Sequence, residues 1–455
     1  MERKENIMGT KPVNSLLMGM AFPIMLSMLV QALYNIVDSV FVAQVSEAAL
    51  TAVSLAFPIQ ALMISVAVGT AVGINALLSR RLGEKKRKEA ALAAENGLFL
   101  AVLSWLAFAV FGLLFSRWFF SFFSESTEII RSGANYLKIC TVFSFGLFGQ
   151  VTMERILQST GKTVYQMIAQ LVGAIVNIIL DPIFIFGLFG MPKMGVEGAA
   201  VATIIGQICG LAVALIINHV KNHEIRLSFR GFRPDFHTIR SIYRVGFPSI
   251  IMQSIGSVMV FGMNMILIQF TETAVSVFGI YFKLQSFIFM PVFGITNAMV
   301  PIVAYNYGAR AKQRIVQAMR MALIMVSVVM ALGTLVFQLA PGPLLQMFNP
   351  TPALLEIGVP ALRIISISFL FAGVAIVLSS LFQALGSGFL SLAMSVVRQL
   401  VFILPCAWLL ATFVGRDAVW FSFVLAECVS IVMAVIFYRH IYRTKIRNIE
   451  NVAFD

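Results

Sequence analysis

Three carboxylates lie deep inside long apolar stretches of this sequence, where charged residues are rare. Asp38 and Asp181 belong to the first half of the chain, and Glu427 belongs to the second. A charge in the hydrocarbon core of a bilayer costs about 3 kcal/mol or more, so such residues usually bind a cation, carry a proton or form an ion pair. Each of the three is therefore a candidate for function.

Asp38 and Asp181 each lie on a polar face of an otherwise apolar helix. Positions four and seven residues apart share one face of a helix, and the polar residues around both acids follow this spacing. Both acids are expected at similar depth in the outer half of the first bundle, close enough to meet. The first face carries Gln31, Asn35 and Asp38, and the second carries Gln170, Asn177 and Asp181.

The residue types around the two aspartates predict a site for a small cation. Thr203 in the next apolar stretch is expected at the same depth. Two carboxylates, the Asn177 amide and this hydroxyl are oxygen ligands suited to a hard cation such as Na⁺. Two neighbouring carboxylates also disfavour double ionisation, so the pair could instead bind and release a proton. The alternative is a structural role, in which these groups only hydrogen-bond between helices.

The second half offers Glu427 and Lys283, which lie at equal depth from the outer ends of their stretches. Equal depth permits an ion pair between them. Such a pair would be either part of a transport cavity or a buried salt bridge, and burial alone does not decide between the two. Arg398 lies closer to the opposite end of its stretch and is expected to extend its side chain towards the interface.

These residues need long membrane-spanning helices to position them. Of the 455 residues, 59% are hydrophobic and 12% are charged, a balance too apolar for a soluble domain. About twelve apolar stretches of roughly 20 residues recur along the chain, and in lipid such stretches must be helical. We therefore predict an all-α integral membrane protein, with a fourth span that ends near residue 155.

The distribution of basic residues predicts the topology. Lys and Arg outnumber Asp and Glu by 33 to 20, and most of the basic residues fall in alternate loops. By the positive-inside rule, the basic loops and both termini are cytoplasmic, in a multi-pass protein of the plasma (inner) membrane. The positive charge thus reflects topology, and no nucleic acid partner is expected. The basic clusters are Arg80 to Lys88, Lys221 to Arg244, Arg310 to Arg320 and Arg439 to Arg447.

The chain repeats itself at a fixed shift without a gap. Phe22 and Pro23 match Phe247 and Pro248, and further identities fall at corresponding points of helices and loops. We call the displacement from Phe22 to Phe247 the repeat shift. Duplication predicts two six-helix lobes related by a pseudo-twofold axis along the membrane normal. The N-lobe is predicted at residues 1–217, a cytoplasmic linker at 218–244 and the C-lobe at 245–455.

Two such lobes suit transport by alternating access. The sequence contains no glycine-rich phosphate loop, so an ion gradient is the expected energy source and no cofactor is expected. At the repeat shift, Asp38 aligns with Met263 and Asp181 with Cys406, so the acidic site is predicted in the first half alone.

Both halves of the chain resemble the multidrug and toxic compound extrusion (MATE) family, and the second half is most similar to the bacterial MepA-type branch. The resemblance implies twelve helices in two lobes and export of organic cations and drugs in exchange for H⁺ or Na⁺. It also implies that Asp38, Asn177, Asp181 and Thr203 bind the coupling ion. The resemblance is carried by Pro23, Gln31, Tyr34, Asn35 and Asp38, by Gly83-Glu84-Lys85, Gly161, Asn177 to Pro182 and Gly195 to Thr203, and by Tyr281 to Gln285.

We therefore expect a cation-coupled antiporter for amphipathic, mostly cationic compounds, which functions as a monomer in the lipid bilayer. Further polar residues are candidates for the cavity. A flippase for lipid-linked precursors is the alternative within transport, although it should carry a cationic cavity for phosphates. A membrane enzyme is not expected, because the four His residues show no metal-ligand spacing. The cavity candidates are Gln31, Tyr34, Asn35, Gln170, Lys283 and Glu427.

Overall fold

The structure, a computed structural model, describes residues 6–228 and 230–449, and these contain helices and no strand. The predicted positions of the two termini themselves fall on residues 1–5 and 450–455, outside the described residues. In chain order the main helices are α1 Val13–Ala43, α2 Glu47–Gly83, α3 Arg87–Phe123, α4 Thr127–Val142, α5 Phe145–Ser159, α6 Thr163–Phe186, α7 Val196–Lys221, α8 Phe236–Leu267, α9 Glu272–Gly308, α10 Lys312–Leu339, α11 Pro352–Ser366, α12 Phe369–Ala384, α13 Gly388–Val396, α14 Leu404–Phe413 and α15 Phe421–Ile441.

The described helices confirm a multi-pass, all-α membrane protein. Ten of them are long and apolar enough to cross a membrane, and the count becomes twelve when two bent pairs are each taken as one span. Helices α4 and α5 form the first pair, bent by 41°, and α11 and α12 form the second, bent by 47°. The fourth span was predicted to end near residue 155, whereas α5 continues to Ser159.

The internal repeat extends to the bounds of the helices. Helix α2 runs from Glu47 to Gly83 and α9 from Glu272 to Gly308, so the repeat shift relates both ends. The turns repeat as well, because Gly161 and Gly386, which the same shift relates, have φ of 80° and 74°. A positive φ is accessible to glycine without steric cost, which explains this residue type after α5 and after α12.

The contacts divide the chain into two compact units, Leu26–Ile250 and a unit made of Met1–Met25 with Ile251–Asp455. Both boundaries fall inside helices, in α1 and in α8, and the repeat shift relates them too. Each boundary follows a proline, Pro23 or Pro248, which removes one hydrogen bond from the helix backbone. We call Leu26–Ile250 the first unit and the other the second unit; the lobe bounds drawn from the sequence remain a prediction.

Within the first unit, glycines bring α6 and α7 into close contact. A Cβ atom added to Gly206 on α7 would lie 2.6 Å from the carbonyl oxygen of Gly173 on α6. Small residues at such contacts allow the backbones of two membrane helices to approach closely. The contact holds the polar face of α6 against α7.

The eleventh span along the chain, which belongs to the second unit, contains a π-helical segment. Residues Val397–Ile403 have this wider winding between α13 and α14. Segments of π-helix are rare and are often found at functional sites. The segment includes Arg398, one of the basic residues within the predicted spans.

Candidate coupling-ion site

Asn177 connects two of the predicted site residues in the first unit. Its side-chain nitrogen donates to Oδ1 of Asp181 at 3.3 Å and to Oγ1 of Thr203 at 3.2 Å. Asn177 and Asp181 are one turn apart on α6, and Thr203 lies on α7. Three of the four residues predicted to bind a cation therefore lie together.

Close packing holds Asn177 in place. A Cβ atom added to Gly206 would lie 3.1 Å from the Cβ atom of Asn177, so only glycine fits at that position of α7 without displacement. Asn177 is 3% exposed and Asp181 is 0% exposed. Pro182 follows Asp181 inside the helix and cannot donate its backbone nitrogen, so the backbone next to the acid has one donor fewer.

Asp38 lies on α1 at a depth that matches Asp181. Each acid is five residues from the end of its helix, Ala43 for α1 and Phe186 for α6. Gln31 of α1 accepts a hydrogen bond from Gln170 of α6, and Asp38 and Asn177 each follow these residues by seven positions, two turns along the same helix face. The structure thus brings Asp38 near the group formed by Asn177, Asp181 and Thr203.

Three oxygens of this cluster are buried and accept no hydrogen bond from any described residue. They are Oδ1 of Asp38, Oδ1 of Asn177 and Oδ2 of Asp181. Buried oxygens without a donor are costly, and a cation or a proton would satisfy them. The oxygen atoms of this cluster fit Na⁺ as well as H⁺, because carboxylate, amide and hydroxyl oxygens are the ligands of hard cations.

Two of the remaining polar candidates of the first unit, Gln31 and Gln170, form a contact between α1 and α6. Gln170 donates from Nε2 to Oε1 of Gln31 at 2.8 Å. The side chain of Gln31 also hydrogen-bonds with Tyr34. Asn35 is exposed. The predicted polar faces of the two helices therefore do meet.

In the second unit, the predicted pair of Lys283 and Glu427 does not form. Nη1 of Arg398 donates to Oε1 of Glu427 at 2.9 Å. Lys283 is exposed, and its Nζ lies 6.0 Å from the centroid of the Phe348 ring. Equal depth along two helices is therefore not sufficient to pair their side chains, because each side chain must also point towards the other helix.

Sequence reasoning also missed Glu154, a carboxylate on α5. It is 7% exposed, and Nε2 of Gln150 donates to its Oε1 at 2.8 Å. Because the neighbouring Arg155 is charged, the fourth span was predicted to end there, next to a basic loop. The signal that could have found Glu154 is the spacing of Gln150 and Glu154, which puts both side chains on one face of a helix.

The chain resembles proteins with known roles over most of its length. It is 26% identical over 424 residues to the multidrug export protein MepA of Staphylococcus haemolyticus, which covers 92% of each chain. It is 24% identical over 399 residues to the FAD transporter of Shewanella oneidensis, covering 87% of this chain and 88% of the relative.

The fold also matches a solved structure. This is the outward-facing conformation of a multidrug resistance MATE family transporter of the MOP superfamily, with a TM-score of 0.90 at 24% identity. The match covers 97% of this chain and 98% of that chain. The predicted architecture of about twelve membrane helices is thereby confirmed.

A family model for MatE matches the chain twice, over residues 23–183 and 248–409. The repeat shift found within the sequence takes the first residue of one match to the first residue of the other. Both matches together cover more than half of the chain. The chain therefore belongs to the MatE family, and it is a multi-pass membrane transporter rather than an enzyme.

Proposed function

We propose that the protein exports amphipathic, mostly cationic organic compounds from the cytoplasm in exchange for H⁺ or Na⁺. The coupling ion binds at Asp38, Asn177, Asp181 and Thr203. Transport proceeds by alternating access in the plasma membrane, without a cofactor and with the monomer as the functional unit. The relatives named multidrug export protein support the substrate class.

The observation that carries the proposal is the set of three buried oxygens without a hydrogen-bond donor, on Asp38, Asn177 and Asp181. All three accept and none can donate, so a positive species is the natural partner. A purely structural cluster would instead pair its acceptors with donors from neighbouring helices. The cluster therefore favours ion binding over a structural role.

Exchange of a cation for an organic cation follows from competition for negative charge. A carboxylate that carries a proton or Na⁺ no longer attracts a positively charged solute. Binding of one ligand therefore weakens binding of the other, and this coupling is reciprocal. Antiport results when each ligand favours a different orientation of the transporter.

Transport by the purified protein in proteoliposomes tests the proposal. Ethidium accumulation is measured under a pH gradient and under a Na⁺ gradient imposed separately, with the membrane potential clamped. We expect one of the two gradients to drive accumulation. Asp38→Asn and Asp181→Asn should each abolish it, because each removes a charge that the cation must neutralise.

The matched control is Asp417→Asn, which removes an acid that pairs with Arg416 outside the site. This variant should transport as the wild type does. Wild-type accumulation by both Asp38→Asn and Asp181→Asn would contradict the coupling site. Accumulation that needs neither gradient would contradict antiport itself.

A second candidate is export of anionic organic phosphates, which include lipid-linked precursors. One relative is named FAD transporter, and the Arg398 side chain in the second unit is 24% exposed. In the same liposomes, FAD accumulation that survives Asp38→Asn would favour this candidate over the first.

A further inference from the structure

Glu154 is a buried carboxylate of the first unit that the coupling-ion site does not use. It lies on α5, five residues before the helix ends at Ser159. At 7% exposed, it is nearly as inaccessible as Asn177. A carboxylate retained at such a position in a membrane protein needs either a partner charge or a proton.

The C-terminal end of α5 is hydrogen-bonded to α2 near the basic residues at the end of α2. Ser159 donates from Oγ to Oδ1 of Asn75 on α2 at 2.9 Å. Helix α2 ends a few residues later, after Arg80 and Arg81. Glu154 therefore lies within about two turns of the basic end of this unit, whereas Asp181 lies towards the opposite end.

Gln150, the hydrogen-bond partner of Glu154, packs against the face of α6 that carries Asp181. Asp181 accepts from Asn177 at 3.3 Å, and Gly173 lies one turn further along α6. A Cβ atom added to Gly173 would lie 3.5 Å from Nε2 of Gln150, the same nitrogen that donates to Glu154 at 2.8 Å. The amide of Gln150 therefore lies beside the face of α6 that carries Asn177 and Asp181, one turn beyond Asn177.

Gln150 has little freedom to leave this position. A Cβ atom added to Gly210 of α7 would lie 2.6 Å from Nε2 and 2.8 Å from Oε1 of Gln150. The glycine makes room for the amide, and any larger residue would displace it. The sequence thus keeps an amide between the helices beside Glu154.

Tyr34 is a further titratable residue of the first unit. It interacts electrostatically with Asp38, with Asp181 and with Glu154. The other charged group that acts on Glu154 is Arg155, its neighbour on α5. The hydroxyl of Tyr34 can both donate and accept a hydrogen bond, and its hydrogen-bond partner is Gln31.

The surroundings of Glu154 fit a proton rather than a metal ion. Its only hydrogen-bond donor among the described residues is the amide nitrogen of Gln150, which would repel a cation. Na⁺ would need several oxygen ligands around it. A single carboxylate beside a donor amide can bind a proton without further ligands.

We propose that Glu154 is a second proton-binding carboxylate, on the route by which protons leave the site of Asp38 and Asp181 towards the basic end of the first unit. The aspartic acid gives its proton to water and becomes a carboxylate, and the carboxylate of Glu154 takes a proton from water to form an O–H bond. Glu154 then releases this proton to water at the basic end. The inference rests on the proposed function in its proton-coupled form.

The test measures two kinds of transport in proteoliposomes for Glu154→Gln. Accumulation of ethidium driven by a pH gradient needs proton release, so we expect it to fall by roughly tenfold or more. Exchange of external for internal ethidium at equal pH does not need proton release, so we expect it to persist. Glu125→Gln, which neutralises an exposed acid between α3 and α4, is the control and should retain both.

The outcomes separate this inference from the proposed function. Wild-type accumulation by Glu154→Gln, while Asp38→Asn abolishes accumulation, overturns only the role of Glu154. Accumulation driven by a Na⁺ gradient and not by a pH gradient would also overturn only the role of Glu154. Loss of exchange as well as accumulation makes Glu154 structural and also overturns the inference, and wild-type transport by Asp38→Asn overturns the proposed function.

Glu154→Asp keeps the test decisive if Glu154→Gln does not fold. Aspartate retains the carboxylate but withdraws it from Gln150. We expect accumulation with a shifted pH dependence, because the proton affinity of the carboxylate depends on that contact. A pH profile that matches the wild type would overturn the proposal.

Discussion

At the scale of single residues, one ion pair among the described residues of the second unit has a buried carboxylate. It joins Arg398, whose side chain is 24% exposed, to Glu427, whose side chain is 8% exposed. The sequence predicted Glu427 as a member of an ion pair but not Arg398. Oε1 of Glu427 accepts from Arg398 at 2.9 Å, while its Oε2 is buried without a donor. Counting residues from helix ends gives depth, and depth alone favoured Lys283 as the partner. The direction of a side chain around its helix is the second coordinate, and the π-helical winding at Val397–Ile403 alters it.

Removal of one member of this pair should destabilise the protein more than removal of both. Arg398→Met leaves the carboxylate of Glu427 buried without a partner, and breaking a buried pair in this way costs about 3–5 kcal/mol. The double variant Arg398→Met with Glu427→Leu replaces both charges by apolar groups, which is often neutral. The midpoint of thermal unfolding in detergent should fall for the single variant and recover in the double variant.

Arg416 and Asp417 provide the matched control, because they form a 2.9 Å pair in which the Asp417 side chain is 59% exposed. Neutralising either residue should change the unfolding midpoint little, since exposed pairs contribute about 0–1 kcal/mol. If the fall in the unfolding midpoint for the double variant equalled the sum of the falls for the two single variants, Arg398 and Glu427 would not stabilise one another.

At the scale of helices, the contact between α6 and α7 positions the ion site. Gly206→Ala would place a Cβ atom 2.6 Å from the carbonyl oxygen of Gly173 and 3.1 Å from Asn177. The helices must separate, at a cost of about 1–3 kcal/mol. We expect a lower unfolding midpoint together with weaker coupling, measured as the ethidium accumulated per unit of imposed gradient.

Gly279→Ala in α9 is the control, because a Cβ atom there meets nothing within 4 Å. Alanine favours helix over glycine, so this variant should be neutral or slightly more stable. An unchanged midpoint and unchanged coupling for Gly206→Ala would mean that the glycine contact does not position Asn177.

How far the sequence predicts this site also depends on the helices. Regular spacing on α6 predicted that Asn177 and Asp181 share one face, and a count of residues along α7 predicted that Thr203 lies at the same depth. The hydrogen bonds of Asn177 to Asp181 and to Thr203 agree with both predictions. Glu154 was missed because the fourth span was predicted to end near residue 155, whereas α5 continues to Ser159. Hydropathy ends an apolar stretch at charged residues such as Arg155, but it does not report whether the helix continues or which of its side chains are buried.

At the scale of the whole molecule, duplication explains the fold better than it explains the chemistry. The repeat shift relates the bounds of α2 and α9, the glycine turns after α5 and α12, and the unit boundaries. Hydrophobic patterning was sufficient to predict about twelve spans. The carboxylates deep inside the spans do not repeat, and no rule of packing requires them to. They were found because a carboxylate in lipid is costly, an argument that concerns solvent rather than fold.

The basic loops lead to the last prediction, that the two ends of each span face different compartments as the positive-inside rule requires. The turn after α2 illustrates the charge pattern. Burial raises the pKa of Glu84, but hydrogen bonds from Arg81 at 2.7 Å and Arg80 at 2.9 Å lower it by more. Glu84 therefore stays ionised and neutralises part of the basic charge, yet acids contribute little to orientation and the loop should remain cytoplasmic.

Single cysteines introduced into a chain without its four native cysteines test this topology. Lys88 follows α2 and Lys193 precedes α7, and both are exposed. In intact cells, a membrane-impermeant maleimide should label Lys193→Cys and leave Lys88→Cys unlabelled. Permeabilised cells should show labelling of both, which proves that each position is accessible. Labelling of Lys88→Cys alone in intact cells would reverse the orientation, and the proposed direction of proton release through Glu154 would then be reversed as well.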